Sequence, residues 1–344
     1  MKNQKRYYRM FPWLTACCMA ALLCGCGEDN AADAGMAGTG NGQQQTAARV
    51  PLSLRTVRTQ TGGTVGSGVT RAGASSTTDL STTTSVGFFM QDPSTPAIVL
   101  YANRKGTFDT GDGHWKPVSD QMIWVDNRTS TLAAYAPYNS ATSYSSRQLP
   151  LTSALYAADG SNDLLAARFT ATNASIAAGL DVTLSHVYTR LVFTFVKNSG
   201  YTSELKLNKL ELSGKDIFSA GSYDLFSETY APGTGEPKKI TATVDLTVPA
   251  TTLPLPATAK ADVLLIPVNK TFTEDALLEV YSTDGKHMKV AIPKSTFTAL
   301  QPFAPGKQYN FTVKLSPAEM TITKVEVNDW ENGGSVSEEV KFDS

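Results

Sequence analysis

From Val50 to Phe342 the chain is built of short runs in which apolar and polar positions alternate with a period of two, the spacing of strands with one buried face. Val50, Leu52 and Leu54 alternate with Pro51, Ser53 and Arg55, which predicts a half-buried strand with its proline near an edge. Residues 86–90, 97–101, 122–125 and 132–135 are apolar runs separated by turn residues such as Asp109-Thr110-Gly111-Asp112-Gly113 and Asp126-Asn127. The longest run is 186–197, with Leu191, Phe193 and Phe195 on one face and Val192, Thr194 and Val196 on the other. Being apolar on both faces, it predicts a central strand covered on both sides. Leu205 and Leu207 share one parity and Leu210 and Leu212 the other, so a bulge is expected at Asn208-Lys209. Further strands are predicted over 240–248, 263–266, 309–315, 322–330 and 336–342, with a hairpin at Asp284-Gly285 between 278–281 and 288–292. Helical periodicity is absent except for two short candidates, 162–168 and 295–299. The class is all-β, and strands at this spacing predict two β-sandwich domains.

The first 48 residues break the pattern. Lys2, Lys5, Arg6 and Arg9 precede an apolar run from Phe11 to Leu23, the order of an export signal. Leu22-Leu23-Cys24-Gly25-Cys26 then resembles the lipobox of bacterial lipoproteins, with Leu23 at −3, Gly25 at −1 and Cys26 as the lipid acceptor. Gly27-Glu28-Asp29 resembles the acidic tag of surface-displayed lipoproteins in Bacteroidota. Residues 1–25 therefore read as a lipoprotein signal peptide and 26–48 as a flexible tether, too poor in apolar residues to fold. An N-terminal sandwich over 49–180 and a C-terminal one over 181–344 follow, the boundary falling near Gly179. Residues 59–85, mostly Gly, Ser and Thr with Arg71 among them, read as one long exposed loop.

All four cysteines lie in the first 26 residues, so a chain cut before Cys26 has no disulfide and is held by its core and strand pairing. With four of the 30 basic residues in the leader, 26 remain against 31 acidic ones, a net charge of −5 without long runs; this argues against a nucleic-acid partner. No later stretch is long and apolar enough to span a bilayer. His114, His186 and His287 have no His or Cys at ligand spacing; His186 reads as a satisfied core residue and the other two as solvated. Asp109, Asp112 and their glycines lack the downstream glutamate of a calcium loop and read as a hairpin turn. No nucleophile elbow, phosphate loop or catalytic group set can be assembled, so neither an enzyme nor a cofactor is expected. Trp115, Tyr138 and Tyr144 read either as sugar-stacking surfaces or, preferably, as aromatics packed at the sandwich ends.

Taken together, the lipobox at Cys26, Val69-Thr70-Arg71-Ala72, Val86-Gly87-Phe88-Phe89, Tyr101-Ala102-Asn103, Leu132-Ala133-Ala134-Tyr135-Ala136-Pro137-Tyr138, His186 leading Arg190-Leu191-Val192-Phe193, and Val327-Asn328-Asp329-Trp330-Glu331 resemble, in order, the fimbrillin family of lipoprotein-derived pilins of Bacteroidota. The resemblance implies two β-sandwiches of transthyretin-like type and export to the outer membrane on the lipid of Cys26. It also implies trimming by an arginine-specific protease and assembly with other fimbrial subunits, homo- or hetero-polymeric, by strand exchange. For a member acting as an adhesin it implies a receptor on a host or bacterial surface. On that expectation the strand at 50–57 is the removable one. Arg71 is the first-ranked cleavage site and Arg58, read as the strand's end, the second. Val336, Val340 and Phe342, sharing even parity, would form the donor strand. The alternative is a glycan-binding surface lipoprotein for nutrient capture.

Overall fold

The computed structural model describes residues 48–61, 76–198, 204–233, 238–248, 259–267, 272–299, 303–317, 319–330 and 338–341. The signal and tether, with Cys26, lie outside them, as do Arg71, Val336 and Phe342. The described residues are almost entirely strand, so the chain is all-β.

The first half supplies β1 (Val50–Pro51), β2 (Leu54–Thr61), β3 (Ser76–Asp79), β4 (Val86–Gln91), β5 (Val99–Asp109), β6 (His114–Pro117), β7 (Trp124–Val125), β8 (Ser130–Ala136), β9 (Gln148–Thr152), β10 (Ala154–Leu155), β11 (Leu165–Ala171), helix α1 (Asn173–Ala177) and β12 (Leu180–His186). Eight of these strands make one sheet in the order β12-β11-β8-β4-β5-β6-β2-β3. Because β2 also pairs with β12, in parallel, the sheet curls round and closes on itself. Inside lies a core that includes Leu52, Leu54, Val57, Phe88, Trp115, Leu132 and Leu184. Burial of these apolar side chains is what pays the conformational entropy of ordering the strands.

The second half supplies β13 (Thr189–Lys197), β14 (Leu205–Ser213), β15 (Ala220–Asp224), β16 (Thr229–Pro232), β17 (Lys239–Val248), β18 (Lys260–Leu265), β19 (Ala276–Ser282), β20 (His287–Ile292), helix α2 (Lys294–Ala299), β21 (Lys307–Leu315), β22 (Met320–Asp329) and β23 (Glu338–Lys341). A six-stranded sheet, β10-β18-β13-β21-β22-β23, and a four-stranded one, β17-β14-β19-β20, share a core in which Leu191, Phe193 and Phe195 meet Leu210, Leu212 and Val280. The sheet β16-β15-β9 takes strands from both halves, and beneath it Leu149, Leu151, Leu264, Ile266 and Trp330 belong to a third core.

The central strand is there, but it starts at Thr189; His186 ends β12 instead, paired with Leu165. Its second face is only partly covered, since Val192 is buried while Thr194 and Val196 are half-buried. Because β12 pairs with β11 and β2, the strand pairings of the first half run on to His186, past Gly179. The register shift between Leu207 and Lys209 and the hairpin at Gly285, whose φ is 83°, match the sequence pattern. Of the two short helices, α2 forms. Residues 162–168 do not form one: from Leu165 on they are β11, whose Leu165 and Ala167 pack on the first core while Ala166 packs on the third. Two cores meet the start of that strand, so Leu165, Ala166 and Ala167 are apolar in a row and show no alternation. Helix α1 was not signalled by periodicity; it is capped by Thr172, whose Oγ1 accepts from the Ser175 amide at 3.2 Å while Ser175 Oγ accepts from the Thr172 amide.

The segment read as one loop over 59–85 is partly sheet. β2 runs on to Thr61, and Ser76–Asp79 pairs with it antiparallel, Arg58 facing Asp79 and Thr61 facing Ser76. These residues are polar throughout, so no alternation reveals the strands.

Candidate functional site

The element on which strand exchange depends is β2 with the short β1 before it. Pro51 sits in β1, which among the described residues pairs only with β7, so the missing proline amide costs the main sheet nothing. The strand restarts at Leu54 and is not at an edge: β12 lies along one side, β6 and β3 along the other. Leu52, Leu54 and Val57 are fully buried, and the change of phase between 54 and 57 accompanies a register shift against β12 at Leu180/Asp181. Together these three side chains contribute roughly 5–9 kcal/mol of apolar burial.

Polar contacts fix the strand along its outer side. Arg55 donates from Nε to Asp181 Oδ1 at 3.0 Å and from Nη2 to Oδ2 at 2.5 Å, a two-pronged pair, and Thr56 Oγ1 donates to Oδ1 at 2.7 Å. Gly179, with φ of 88°, leaves the room that Arg55 occupies: a Cβ there would lie 3.3 Å from Cδ and Nη1 of Arg55. Arg58 Nε donates to Asp79 Oδ1 at 3.0 Å, and Ser185 Oγ donates to Gln60 Oε1 at 2.8 Å. At the start of the strand the Leu52 amide donates to the Ile123 carbonyl at 2.8 Å, and Asn173 Nδ2 to the Ala48 carbonyl at 3.0 Å.

The Arg55 hydrogen bonds, aided by Thr56, hold the Asp181 carboxyl at about 2. A group depressed in the folded state stabilises it fully above its unfolded value, near 3.8, and that contribution fades as the pH falls from about 4 to about 2. Asp181 is 37% exposed, so screening keeps the contribution below about 1 kcal/mol. Asp181→Asn should therefore lower the urea midpoint slightly at pH 7 and by clearly less at pH 2, where the folded-state carboxyl is about half protonated. An equal loss at both would mean that the carboxylate charge is not what matters.

Of the sequence-predicted site residues, Arg58 lies within β2, not at its end, with Thr183 opposite on one side and Asp79 on the other. Proteases bind their substrates extended, and a strand paired on both sides cannot enter one. Val340 lies in β23 at the edge of the six-stranded sheet, facing Val325 of β22. Cys26, Arg71, Val336 and Phe342 fall outside the described residues. Asp181, Thr56, Asp79 and Gly179 were missed: in sequence Asp181 is one outward position of an alternating strand, and nothing ties it to an arginine 126 residues earlier.

The aromatics do not form an open platform. Trp115 is buried, edge-on to Phe108 with ring centres 5.7 Å apart. Tyr144 is half-buried and stacked on Tyr135, and Tyr138 is half-buried beneath Lys105. The Asp109–Gly113 segment is a turn in which Gly113 bonds back to Asp109, and Lys116 takes both Asp109, at 3.3 Å, and Asp112. His186 bonds Asp163 at 2.7 Å and stacks on Trp330, as a satisfied core residue does; His114 lies near Asp112, and His287 stacks on Tyr281.

A closed all-β sheet whose first long strand fills the core, with a second, sheet-on-sheet half behind it, defines the class: a strand-built protein. A family model described as fimbrillin-like matches residues 70–330, and the chain belongs to that family. Among solved structures, a candidate cell adhesion protein from Bacteroides ovatus is similar with a TM-score of 0.56 at 19% identity, covering 83% of this chain and 100% of its own. One from Bacteroides uniformis gives 0.54 at 16%, covering 81% and 98%. These two share the fold. The tip fimbrial protein Mfa3 from Porphyromonas gingivalis, with a C-terminal truncation, gives 0.45 at 12%, covering 82% and 100%. No curated protein matches the chain.

Proposed function

We propose that this chain is a structural subunit or adhesin of a cell-surface fimbria and has no catalytic role. It is exported as a lipoprotein, held in the outer membrane through Cys26, cut by an arginine-specific protease between β2 and β3, and joined to other fimbrial subunits by strand exchange. Its two sandwich domains follow the signal peptide and tether. Membership of the fimbrillin-like family supports the fimbrial role. One observation carries the exchange: β2 alone closes the first sheet, between β12 and β6, so its departure leaves open strand edges and an empty apolar slot. Arg71 lies in the chain between β2 and β3, whereas Arg58 is locked inside a paired strand; this favours Arg71 as the cleaved residue.

The test is made on cells. The uncut wild-type protein should carry a fatty-acid label; the assembled form should begin after Arg71, free of the label, and enter ladders of subunits on a non-boiled gel. Cys26→Ser should lose the label, and Arg58→Ala/Arg71→Ala should be exported and labelled but form no ladder. Ladders from the double arginine variant would overturn the processing step, and equal labelling of Cys26→Ser would overturn the anchor.

A further inference from the structure

We infer that the slot under β2 takes its replacement strand from a different protein, carrying the pattern apolar-x-apolar-cation-x-apolar, and not from residues 331–344 of a second copy of this chain. The inference rests on the strand-exchange reading above.

β2 itself states what the slot requires. Leu52, Leu54 and Val57 enter fully buried positions, so a charged side chain at any of them would be stranded without a partner in an apolar core. Arg55 faces Asp181 with two hydrogen bonds, so a carboxylate in its place would set two negative charges at ion-pair distance. A replacement therefore needs apolar residues at 52, 54 and 57 and a cation, or at least no acid, at 55.

Residues 331–344 read Glu-Asn-Gly-Gly-Ser-Val-Ser-Glu-Glu-Val-Lys-Phe-Asp-Ser and hold only three apolar side chains. Slid along the slot in the direction of β2, they fill two pockets in one register, with Val340 at 52 and Phe342 at 54, and Asp343 then stands against Asp181. In the opposite direction they again fill two pockets in one register, with Phe342 at 52 and Val340 at 54, and there Glu339 stands against Asp181. Bringing Lys341 to Asp181 costs a pocket each time. In the direction of β2 it places Glu338 at 52 and Asp343 at 57; reversed, it places Glu339 at 57. In its own chain residues 338–341 are paired with β22, Val340 opposite Val325 and Glu339 opposite Glu326, at the edge of the six-stranded sheet. Charge and burial thus both disfavour the self-donor, whichever way it runs.

The experiment uses the exported protein cut between β2 and β3 by limited trypsin, the site verified by mass. Fluorescent peptides are offered in excess, and displacement of the retained N-terminal fragment is followed by polarisation. Peptide 48–61 should bind. Peptide 334–344 should bind at least about 100-fold more weakly, the loss expected for one unfilled pocket and a like-charge contact. The same peptide with Glu339→Lys and Asp343→Lys should recover about tenfold or more. Binding of wild-type 334–344 within tenfold of 48–61, or ladders formed by the cut protein alone, would overturn the inference while leaving strand exchange standing. Failure of 48–61 to bind would overturn strand exchange, and this inference with it.

Discussion

Phe193→Asp yields a chain that does not fold. Phe193 is fully buried in the middle of β13, with Ala261 of β18 on one side and Phe311 of β21 on the other. Its ring stacks on that of Phe311 with centres 5.0 Å apart. Truncating a buried phenylalanine alone costs about 3–5 kcal/mol. The aspartate adds a carboxylate to a core built from apolar side chains, with no cation beside it among the described residues, a further several kcal/mol even after the group takes up a proton. The sum reaches the entire stability of an ordinary domain, about 5–15 kcal/mol. Thr194→Asp is the matched control. Thr194 points to the other, half-buried face, with Lys260 opposite, and an acid there should leave a soluble protein with a cooperative melt. Circular dichroism and thermal melts of the two variants decide the matter. A cooperatively melting Phe193→Asp, or a Thr194→Asp that fails equally, would mean the faces of β13 are reversed.

That strand shows how far the sequence carries. Where a strand faces one core, its parity is written in the residues, and β13, β17 and β21 follow from their alternation. Where it serves two cores the code blurs: β11 puts Leu165 and Ala167 into one and Ala166 into another, and its beginning reads as a helix. Strands held only by their neighbours' backbones leave no apolar mark at all, so β3, made of Ser, Thr and Asp, is invisible among the loop residues around it. The same limit governs the candidate site. Leu52 and Leu54 were legible as inward residues, but Val57 falls out of phase because the ladder shifts at Leu180/Asp181. Pro51 pointed to an edge strand; the chain instead breaks after it, and β2 lies between neighbours. The Arg55–Asp181 pair joins positions 126 residues apart and follows only from the parallel pairing of β2 with β12, which no local pattern encodes.

Gly87→Ala is expected to be severely destabilising, although it adds a single methyl group in a strand. Gly87 of β4 faces Tyr135 of β8, and the tyrosine ring lies flat across the glycine. A Cβ on residue 87 would sit 2.0 Å from Tyr135 Cε1 and 2.6 Å from Cζ, closer than atoms can come. A flexible side chain would swing away, but Tyr135 is fully buried and tied at its tip. Its hydroxyl donates to Asn103 Oδ1 at 2.7 Å and accepts from the Asn139 amide at 3.1 Å, while the ring stacks on Tyr144 at 5.7 Å. Asn103 holds a φ of 46° at this point and also bonds the Asn139 carbonyl, so the ring, the β5 strand and the loop after β8 are one fixed unit. Overpacking costs about 1–3 kcal/mol. Pulling the hydroxyl of the buried Tyr135 off Asn103 and Asn139 adds about 1–3 kcal/mol more. Together Gly87→Ala should cost about 2–6 kcal/mol, read as a fall in urea midpoint at unchanged slope. The mechanism makes a sharper demand on the double variant. Tyr135→Ala is itself costly, by about 3–5 kcal/mol, but it removes the ring that Gly87 must accommodate. In that background Gly87→Ala should cost close to nothing, since the coupling between two residues in contact is the whole effect. If the two losses simply add, Gly87 is required by the backbone and not by the ring, and this account of the contact is wrong.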